Sequence, residues 1–560
     1  MPLRRCRTSG AAKRQPAPEW PTTQDSPHAH GPGTASATAS QRNWRSEVPE
    51  EPLLPSVPLT VAAVALGLAI QVRDGEYAPV ALGLLTMAIV TLGVTLARAF
   101  PTPLVLFRRG GESLQARCFS ARLPVLLLCG GLAIQFALLA TSWPGTDLPH
   151  RGGLQLLPFR LGLALAVLLV IAGVGGTRAF AAVWFPGLLA VSLLLGFWMI
   201  HASPRPHIDV WMFQQDGARE LLRGSNPYAM TFPDIYHSTL PGHAAAYGNG
   251  LVVNDRLQFG FVYPPLSLLL STMGYVVAGD YRYAMAVALV LAAAVIGYAE
   301  GGYADSAGFA GRGSKLTAAL LLFTPRVFFV LARGWTEPFV LLLLAATVFI
   351  ARQRMTREPA AGETVDPRVP LKKWTSRHSA LLLAVALGLL VAVKQYAIIA
   401  LPISFLLLPP GWRWRDWFYL AGQAVAVAAA ITVPFALWNL QAFWKSVVSV
   451  QLAGPFRWDA LSYQVWWGFH GHGATPPSTA FLCSLIALAA ALGLCVWRAP
   501  RNPAGFSASF AFVLLLFLAF NKQAFANYYF SVIGALCCAI AAGGTEAQAT
   551  LAARHHARVD

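Results

Sequence analysis

The chain has 560 residues, of which 56% are hydrophobic and only 12% are charged, and its formal net charge is +17. A soluble protein carries about twice that charged fraction, so the composition excludes a soluble globular chain and indicates a membrane protein with several spans. The positive charge would suggest nucleic acid in a soluble protein. Here the basic residues lie in short intervals between apolar runs, so we interpret them as topology determinants that also contact membrane lipids, with no nucleic acid partner.

The first 52 residues are rich in Arg, Pro, Ser, Thr, Ala and His and show no apolar periodicity. They predict a disordered basic cytoplasmic tail, and no removable signal peptide is expected. Five apolar runs follow, and the longer ones reach about 30 Å as helices, enough to span the hydrocarbon. These runs are 53–72, 78–97, 123–142, 158–175 and 179–200. The arginines of 98–122 predict a cytoplasmic interval, which places the chain after residue 200 on the extracytoplasmic face.

The apolar stretch 263–279 decides the remaining topology. If it crossed the membrane, the basic interval 352–378 would lie outside, which the positive-inside rule disfavours. We therefore expect a short helix that lies on, or dips into, the outer face. The later apolar runs are 282–299, 316–331, 338–351, 379–393, 396–408, 417–438, 479–497, 506–520 and 527–543. The fold class is all-α and polytopic, with about fourteen spanning or half-spanning helices and both termini cytoplasmic.

The segment HIDVW at 207–211 lies directly after the fifth apolar run and begins the longest polar interval of the chain, about 60 residues. A carboxylate where a transmembrane helix ends, here Asp209, is a functional candidate. The alternative is that Asp209 only caps a helix over 210–222, which has apolar residues at helical spacing and Gly224 as a stop signal. Capping and catalysis are compatible roles.

Three cations stand at predicted outer helix ends: Lys394, Lys522 and Arg333. A lysine at bilayer depth costs about 2.5–3.5 kcal/mol and needs an anionic partner. Because few carboxylates accompany them, a lipid phosphate is the natural ligand, since it can enter from the bilayer. The alternative for each is an interfacial residue that extends its charge to water. Considered by itself, Arg333 fits this alternative better, whereas for Lys394 we favour a functional role.

Transfer of a sugar from a lipid phosphate would use such a set. The phosphate leaving group needs little protonation, whereas the acceptor hydroxyl needs a general base, for which Asp209 is the candidate. A glycosidase would need two carboxylates. Asp216 could pair with Asp209 around a metal, but a salt-bridged or solvated Asp216 is the better interpretation because no DxD or His-rich ligand set accompanies it. No divalent metal or other cofactor is expected.

Other polar and aromatic residues fall on the same predicted outer face and are candidates for a substrate cavity. For the aromatic ones, membership of an interfacial aromatic belt is the alternative. They are Asn226, Tyr228, Tyr263, Trp335, Glu337, Gln395, Asn527 and Tyr528.

Four stretches carry a family resemblance: HIDVWMFQQDGARELLRGSNPY at 207–228, YPPL at 263–266, GWTEPFVLLLLA at 334–345 and LGLLVAVKQYAIIALP at 387–402. Over about residues 180–540, with the Asp followed by GxNPY and YPP as the most specific parts, the chain resembles membrane glycosyltransferases of the type C (GT-C) fold. It is most similar to the polyprenyl-phosphate-mannose-dependent mannosyltransferases of bacterial envelopes.

The resemblance implies that Asp209 is the catalytic aspartate, that small interfacial helices follow it, and that a polyprenyl-monophosphate sugar is transferred with inversion and without a nucleotide-sugar site. Two features depart from the family. Position 335 is Trp where relatives commonly have Gln, and about four extra helices precede the catalytic loop, so the acceptor does not follow from the resemblance.

These arguments divide the chain into five parts. They are the tail 1–52, additional N-terminal transmembrane helices at 53–178, a catalytic transmembrane module at 179–408 with outer loop 201–281, C-terminal transmembrane helices at 409–545 with outer loop 439–478, and a cytoplasmic tail at 546–560.

The predicted function is extracytoplasmic transfer of a sugar, mannose by the resemblance, from a polyprenyl-phosphate donor to a hydroxyl of a glycolipid, polysaccharide or protein, in the cell (plasma or inner) membrane. One alternative is a transporter or flippase of an anionic lipid-linked substrate, disfavoured by the lack of an internal repeat and of paired broken helices. Another is an envelope polymer ligase or a phosphoethanolamine-type transferase.

Overall fold

The structure is a computed structural model that describes residues 55–97, 114–145, 153–175, 178–237, 246–248, 250–299, 309–356, 377–408 and 412–559. The predicted tail at 1–52 and most of the basic intervals 98–122 and 352–378 lie outside these residues. The last helix continues through most of the predicted tail at 546–560.

Each apolar run identified in the sequence is helical in the structure. The helices of the first part of the chain are α1 (Ser56–Gln71), α2 (Pro79–Ala97), α3 (Leu114–Thr141), α4 (Leu157–Gly175), α5 (Arg178–Ala202), α6 (Asp209–Leu222), α7 (Pro265–Ala278), α8 (Arg282–Gly297), α9 (Phe309–Leu322), α10 (Val327–Arg333), α11 (Glu337–Thr356) and α12 (Arg377–Val393).

The second half begins with short helical pieces, Gln395–Ile399, α13 (Ala400–Ile403) and Ser404–Leu407, followed by α14 (Trp414–Trp438). The predicted outer loop 439–478 contains α15 (Leu440–Trp444), a π-helical turn at Lys445–Ser449, α16 (Val450–Ala453), α17 (Tyr463–Trp467) and a second π-helical turn at Gly468–His472. The chain ends with α18 (Pro477–Arg498), α19 (Pro503–Ala519) and α20 (Ala526–Val559).

Among the described residues, nine helices are long and apolar enough to cross a membrane, or up to eleven if each of two bent pairs is one span. The chain is therefore a helical multi-pass membrane protein, and the predicted count of about fourteen is not confirmed. The difference arises from length, because Ser379–Val393, Gln395–Leu407 and Pro503–Ala519 are apolar but too short for a full crossing.

The pair α7 and α8 shows how the chain turns where the topology argument expected no separate crossing. The chain direction bends by 111° between the two helices. Gly279 ends α7 with a left-handed backbone, φ 75°. A helix of 14 residues is about 21 Å long, shorter than the hydrocarbon thickness, so α7 cannot span a membrane by itself.

The centre of the bundle is α20, whose spanning part, Ala526–Gly543, has 94% of its residues buried. It packs against α1, α9, α11 and α19. The helix α14 has only 11% of its spanning residues buried and is therefore peripheral. The helix α1, which belongs to the predicted N-terminal addition at 53–178, therefore contacts the most buried helix of the bundle.

A small separate core supports the loop between α5 and α7. Three two-residue strands, β1 (Phe232–Pro233), β2 (Val252–Val253) and β3 (Arg256–Leu257), form an antiparallel sheet in the order β1-β3-β2, with Phe232 and Val252 both paired to Leu257. Asn254 and Asp255 both have positive φ, as a tight hairpin turn requires. The sequence analysis predicted no strand here.

Candidate active site

Asp209 is the first residue of α6 and follows Ile208, whose backbone is extended. Its Oδ1 accepts a hydrogen bond of 2.8 Å from the amide of Val210. The helix predicted over 210–222 is therefore confirmed. The second core, which includes Met212 and Phe213 on the buried face of α6, fixes the helix and with it the start that carries the carboxylate.

Two tyrosines from the loop after α6 surround the Asp209 carboxylate. The hydroxyl of Tyr236 donates to Oδ1 at 3.4 Å, and that of Tyr247 donates to Oδ2 at 3.3 Å. Both distances are long for hydroxyl donors, so the carboxylate keeps accepting capacity. Burial, and next the charge of Asp209, raises the pKa of both tyrosines, so they stay protonated and act as donors.

Burial also raises the pKa of Asp209 above its ordinary value. The hydrogen bonds from Val210, Tyr247 and Tyr236 and the positive charge of Arg457 lower that pKa, but less than burial raises it. A carboxylate with a raised pKa is a stronger base than an exposed one. Asp209 is thus suited to accept a proton from an alcohol.

Arg457, from the loop after α16, places a positive charge near Asp209. Its Nε and Nη2 donate to the two carboxylate oxygens of Asp459 at 2.9 and 2.6 Å, and its guanidinium lies 5.0 Å from the centre of the Phe525 ring. Burial lowers the pKa of Arg457, but Asp459, Tyr236 and Asp209 together raise it overall. The guanidinium is fixed in place and stays charged.

Arg333 is a second cation whose charge acts on Tyr236. Its Nη1 donates to the carbonyl oxygen of His207 at 2.9 Å. The His207 ring meets the edge of Tyr236 with centroids 5.7 Å apart. Burial raises the pKa of Tyr236, and the charges of Arg333 and Arg457 oppose that effect. The predicted cation Arg333 is therefore near the Asp209 cluster.

Lys522 and Arg457 are joined by a hydrogen bond between their backbones. The amide of Arg457 donates to the carbonyl of Lys522 at 3.2 Å. The Lys522 ammonium donates to the carbonyls of Leu452 at 3.2 Å and Gly454 at 2.5 Å, and burial lowers its pKa. Neutral carbonyls do not balance its charge, so an anion reaching this loop would meet the Lys522 ammonium beside an arginine that Asp459 already pairs.

Lys394 has a different environment. Its ammonium forms an ion pair of 2.5 Å with Oε1 of Glu337, and the two side chains are 3% and 0% exposed. Asn527 donates to the same oxygen at 2.7 Å. The other oxygen, Oε2, is buried without a hydrogen-bond partner. The anionic partner that the sequence argument required is thus supplied within the chain by Glu337.

Three tyrosine rings surround the Lys394 ammonium: Tyr263 at 5.3 Å, Tyr528 at 5.6 Å and Tyr396 at 5.7 Å from the ring centres. This arrangement stabilises a buried cation. Burial raises the pKa of Tyr263, and the charge of Asp209 adds to the effect. The Lys394 cluster and Asp209 therefore lie close enough to act on the same phenol.

The turn before Glu337 is held by the helix pair α7 and α8. The hydroxyl of Tyr281 donates to the carbonyl of Gly334 at 2.6 Å, and Arg282, which is fully buried, donates to the carbonyl of Ala332 at 2.7 Å. Asp280 binds the same guanidinium at 2.6 Å. The position of Glu337 thus depends on the bend between α7 and α8.

Substitution Gly334→Ala is expected to destabilise the protein. Gly334 has φ +73°, and a Cβ there would lie 2.1 Å from the buried Tyr281 hydroxyl. A left-handed backbone alone costs an L residue about 1–2 kcal/mol. A thermal melt in detergent should show a lower transition temperature for Gly334→Ala. Gly83→Ala, where a Cβ meets nothing within 4 Å, serves as the control; because it lies inside α2, where alanine is favoured over glycine, it should leave the transition temperature unchanged or slightly raised.

The GxNPY and YPP stretches quoted from the sequence are joined in the structure. The hydroxyl of Tyr228, a residue only 1% exposed, donates to the carbonyl of Tyr263 at 2.9 Å. Asn226 accepts from the Tyr228 amide at 3.0 Å and closes the turn. Tyr228 packs on Phe261 and Phe443 in the second core. The two motifs therefore act together as a structural support for the site.

Gln395 and Trp335 complete the set named from the sequence. Gln395 donates to the carbonyl of Val262 at 2.6 Å, which ties the residue after Lys394 to the loop before Tyr263. Trp335 lies edge-on to Phe329, with ring centres 5.2 Å apart.

Three residues of this site were not found from the sequence: Tyr236, Tyr247 and Arg457. The tyrosines stand in the polar interval after α6, and Arg457 in FRWDA lies beyond α16, more than 240 positions after Asp209. No local pattern marks them. The one available signal was the length of the two loops 201–281 and 439–478, which is unusual for connections without a function.

Asp216 forms an ion pair of 2.7 Å with Arg219, as the sequence analysis preferred. Among the described residues, no group of three or more His, Cys, Asp or Glu side chains is arranged to hold a metal ion.

Comparison with known proteins gives little further information. No family model matches the chain, and no curated protein matches it. A solved structure, that of ArnT from Cupriavidus metallidurans bound to undecaprenyl phosphate, is similar at 17% identity and a TM-score of 0.39 over 66% of this chain. The chain spans 60% of the length of that protein. A likeness this slight does not by itself assign a family.

Proposed function

We propose that the protein is a GT-C-type membrane glycosyltransferase. It would move a sugar from a polyprenyl-monophosphate donor to a hydroxyl of a glycolipid, polysaccharide or protein on the extracytoplasmic face, with inversion at the anomeric carbon. Mannose is the sugar favoured by the sequence resemblance. The observation that carries the proposal is a partly buried carboxylate, Asp209, which accepts hydrogen bonds from two protonated phenols and on which the positive charge of Arg457 acts.

In this proposal Asp209 is the general base. Its raised pKa makes it a better proton acceptor, and its long hydrogen bonds to Tyr236 and Tyr247 leave room for an acceptor hydroxyl. As that hydroxyl attacks the anomeric carbon, its proton passes to Asp209, the bond from the anomeric carbon to the phosphate oxygen breaks, and polyprenyl phosphate leaves.

The phosphate would lie against cations at the same end of the bundle. Arg457 acts electrostatically on Asp209, Arg333 on Tyr236, and Lys522 adjoins Arg457 through the backbone. Arginine suits phosphate because its donors form a planar fork. These charges would bind the donor and stabilise the phosphate that develops as the glycosidic bond breaks.

Lys394 remains a proposed phosphate ligand, but it differs from Lys522 because its ammonium is buried and paired with a carboxylate. Its charge is balanced by Glu337, so a phosphate would have to share the ammonium with that carboxylate. The ring hydroxyls of Tyr263 and Tyr528, together with Gln395 and Trp335, would face the sugar or the acceptor.

The test is transfer of radiolabelled mannose from polyprenyl-phosphate-mannose to endogenous acceptors, in membranes with and without the protein. We expect labelled product only with the protein and the lipid donor, and none from a nucleotide-sugar donor. Label from the nucleotide sugar, with none from the lipid, would contradict the donor class.

The pH dependence of transfer should report the environment of Asp209. Activity needs the ionised carboxylate, so it should fall as pH drops through a pKa that burial holds above 3.8, the ordinary value. Tyr247→Phe removes a hydrogen bond that lowers this pKa, so the acid limb of kcat/KM should move to higher pH. The groups that act on Asp209 are Tyr236, Tyr247, Arg457 and, through Tyr236, Arg333. An acid limb unmoved in Tyr247→Phe would contradict the assignment.

A further inference from the structure

The turn between α1 and α2, residues 72–78 and here called the first-hairpin turn, has an unusual backbone. Arg73, Asp74 and Gly75 have φ of 49°, 60° and 80° in succession. Left-handed conformations at residues other than glycine persist only where the surroundings enforce them. A Cβ on Gly75 would lie 2.7 Å from Cβ of Ala526, so the turn is pressed against the start of α20.

One side of the first-hairpin turn is held by an ion pair. Asp74 Oδ1 lies 2.5 Å from Nη2 of Arg326, and the two side chains are only 31% and 14% exposed. Arg326 also donates to the carbonyl of Trp143 at 2.8 Å. Water screens a partly enclosed pair of this kind less than a surface pair. The turn is thus fixed to the break between α9 and α10 and to the end of α3.

The other side of the turn holds the segment that carries Arg457. The amide of Tyr77 donates to the carbonyl of Asp459 at 3.0 Å, and Glu76 forms an antiparallel bridge with Ala460. The Tyr77 ring stacks on Phe469 with centres 5.1 Å apart. Asp459 in turn binds Arg457 through both carboxylate oxygens. A continuous series of contacts therefore runs from Arg326 through the turn to the guanidinium beside Asp209.

We propose that the first-hairpin turn is part of the active site as a positioning element, which holds the Asp459–Arg457 pair in place near Asp209. Asp74 and Tyr77 are then positioning residues that act through Arg457. What Arg457 binds, the donor phosphate, rests on the proposed function; that the turn holds Arg457 does not. The additional N-terminal helices, outside the stretch that resembles GT-C enzymes, would thereby contribute to catalysis.

The test compares Asp74→Asn with Arg73→Gln, a change in the same turn that removes only exposed, long contacts, an ion pair of 3.7 Å with Glu76 and a hydrogen bond of 3.5 Å to the Tyr77 carbonyl. Tyr77→Leu, which keeps the amide but loses the ring stack, is a second variant in case Asp74→Asn does not fold. The first measurement is hydrogen–deuterium exchange of residues 456–461, which needs no activity. The second is KM for polyprenyl-phosphate-mannose, kcat and the acid limb, each also in an Arg457→Gln background.

We expect faster exchange in 456–461 for Asp74→Asn and Tyr77→Leu, and no change for Arg73→Gln. Donor KM should rise about tenfold, with a smaller change in kcat. The acid limb should move to higher pH, because Arg457 lowers the pKa of Asp209. In the Arg457→Gln background the turn variants should add nothing.

Exchange that is unchanged in both variants would overturn the positioning role whatever the protein catalyses. If the turn variants raise donor KM by the same factor in the Arg457→Gln background as in the unchanged protein, the positioning role would also be overturned. The turn would then act on donor binding through residues other than Arg457. Faster exchange in a protein that transfers no sugar would uphold the positioning role and refute the proposed function instead.

Discussion

Asp209→Asn should lower sugar transfer by about 10²–10⁴-fold, the contribution typical of a general base. Asparagine preserves the shape of the side chain and can still lie between Tyr236 and Tyr247, but it cannot take the acceptor proton. We expect the loss in kcat, with donor KM nearly unchanged, because in the proposed function other residues contact the phosphate. The measurement is the initial rate of label transfer from polyprenyl-phosphate-mannose at matched protein levels.

Asp216→Asn is the matched control, since it lies on the same helix and changes the same carboxylate to the same amide. Asp216 pairs with Arg219, 42% exposed, and has no contact with the tyrosines of the site. It should retain transfer within a few fold. Equal losses in both variants would indicate a general effect on α6, and an unimpaired Asp209→Asn would remove Asp209 from the mechanism.

Breaking the ion pair between Lys394 and Glu337 should have the largest effect on stability. Either Lys394→Met or Glu337→Gln leaves one charge in a site where the two side chains are 3% and 0% exposed. Loss of one partner of a buried pair costs about 3–5 kcal/mol, whereas replacing both is often nearly neutral. The free energy of unfolding in a denaturing-detergent titration should fall for each single variant and recover in the double variant.

Glu220→Gln is the control for this experiment. It breaks the 2.5 Å ion pair with Arg223, whose side chain is 63% exposed, and should cost at most about 1 kcal/mol. If the double variant regains stability but not transfer, Lys394 also contacts the donor. If it regains both, the pair is structural only. A double variant as unstable as either single one would contradict the account of the pair.

The helices were predictable because the bilayer imposes the pattern. Runs such as 78–97 and 158–175 are continuous and apolar, and each is found as a helix within a few residues. The position of Asp209 followed in the same way, since it is the first carboxylate after the fifth run. The need of Lys394 for an anionic partner also followed from its depth, although the sequence did not identify Glu337 as that partner.

The remaining features depend on contacts between distant parts of the chain. Strands of two residues, such as Val252–Val253, are too short for an alternating pattern. The place of Arg457 depends on contacts from elsewhere in the chain, since Asp459 binds its guanidinium and the backbone of Asp459 is bonded to Tyr77. The count of about fourteen is not confirmed because some apolar helices are short: α19 is as apolar as a span but has only 17 residues, most of them buried in the bundle.

The most direct measurement uses purified protein in proteoliposomes with polyprenyl-phosphate-mannose and a soluble glycoside acceptor. We expect the donor to be consumed, free polyprenyl phosphate to appear, and the new glycosidic bond to have the opposite anomeric configuration to the donor. Donor that moves between the leaflets intact, with no polyprenyl phosphate released, would contradict the transferase and identify a flippase.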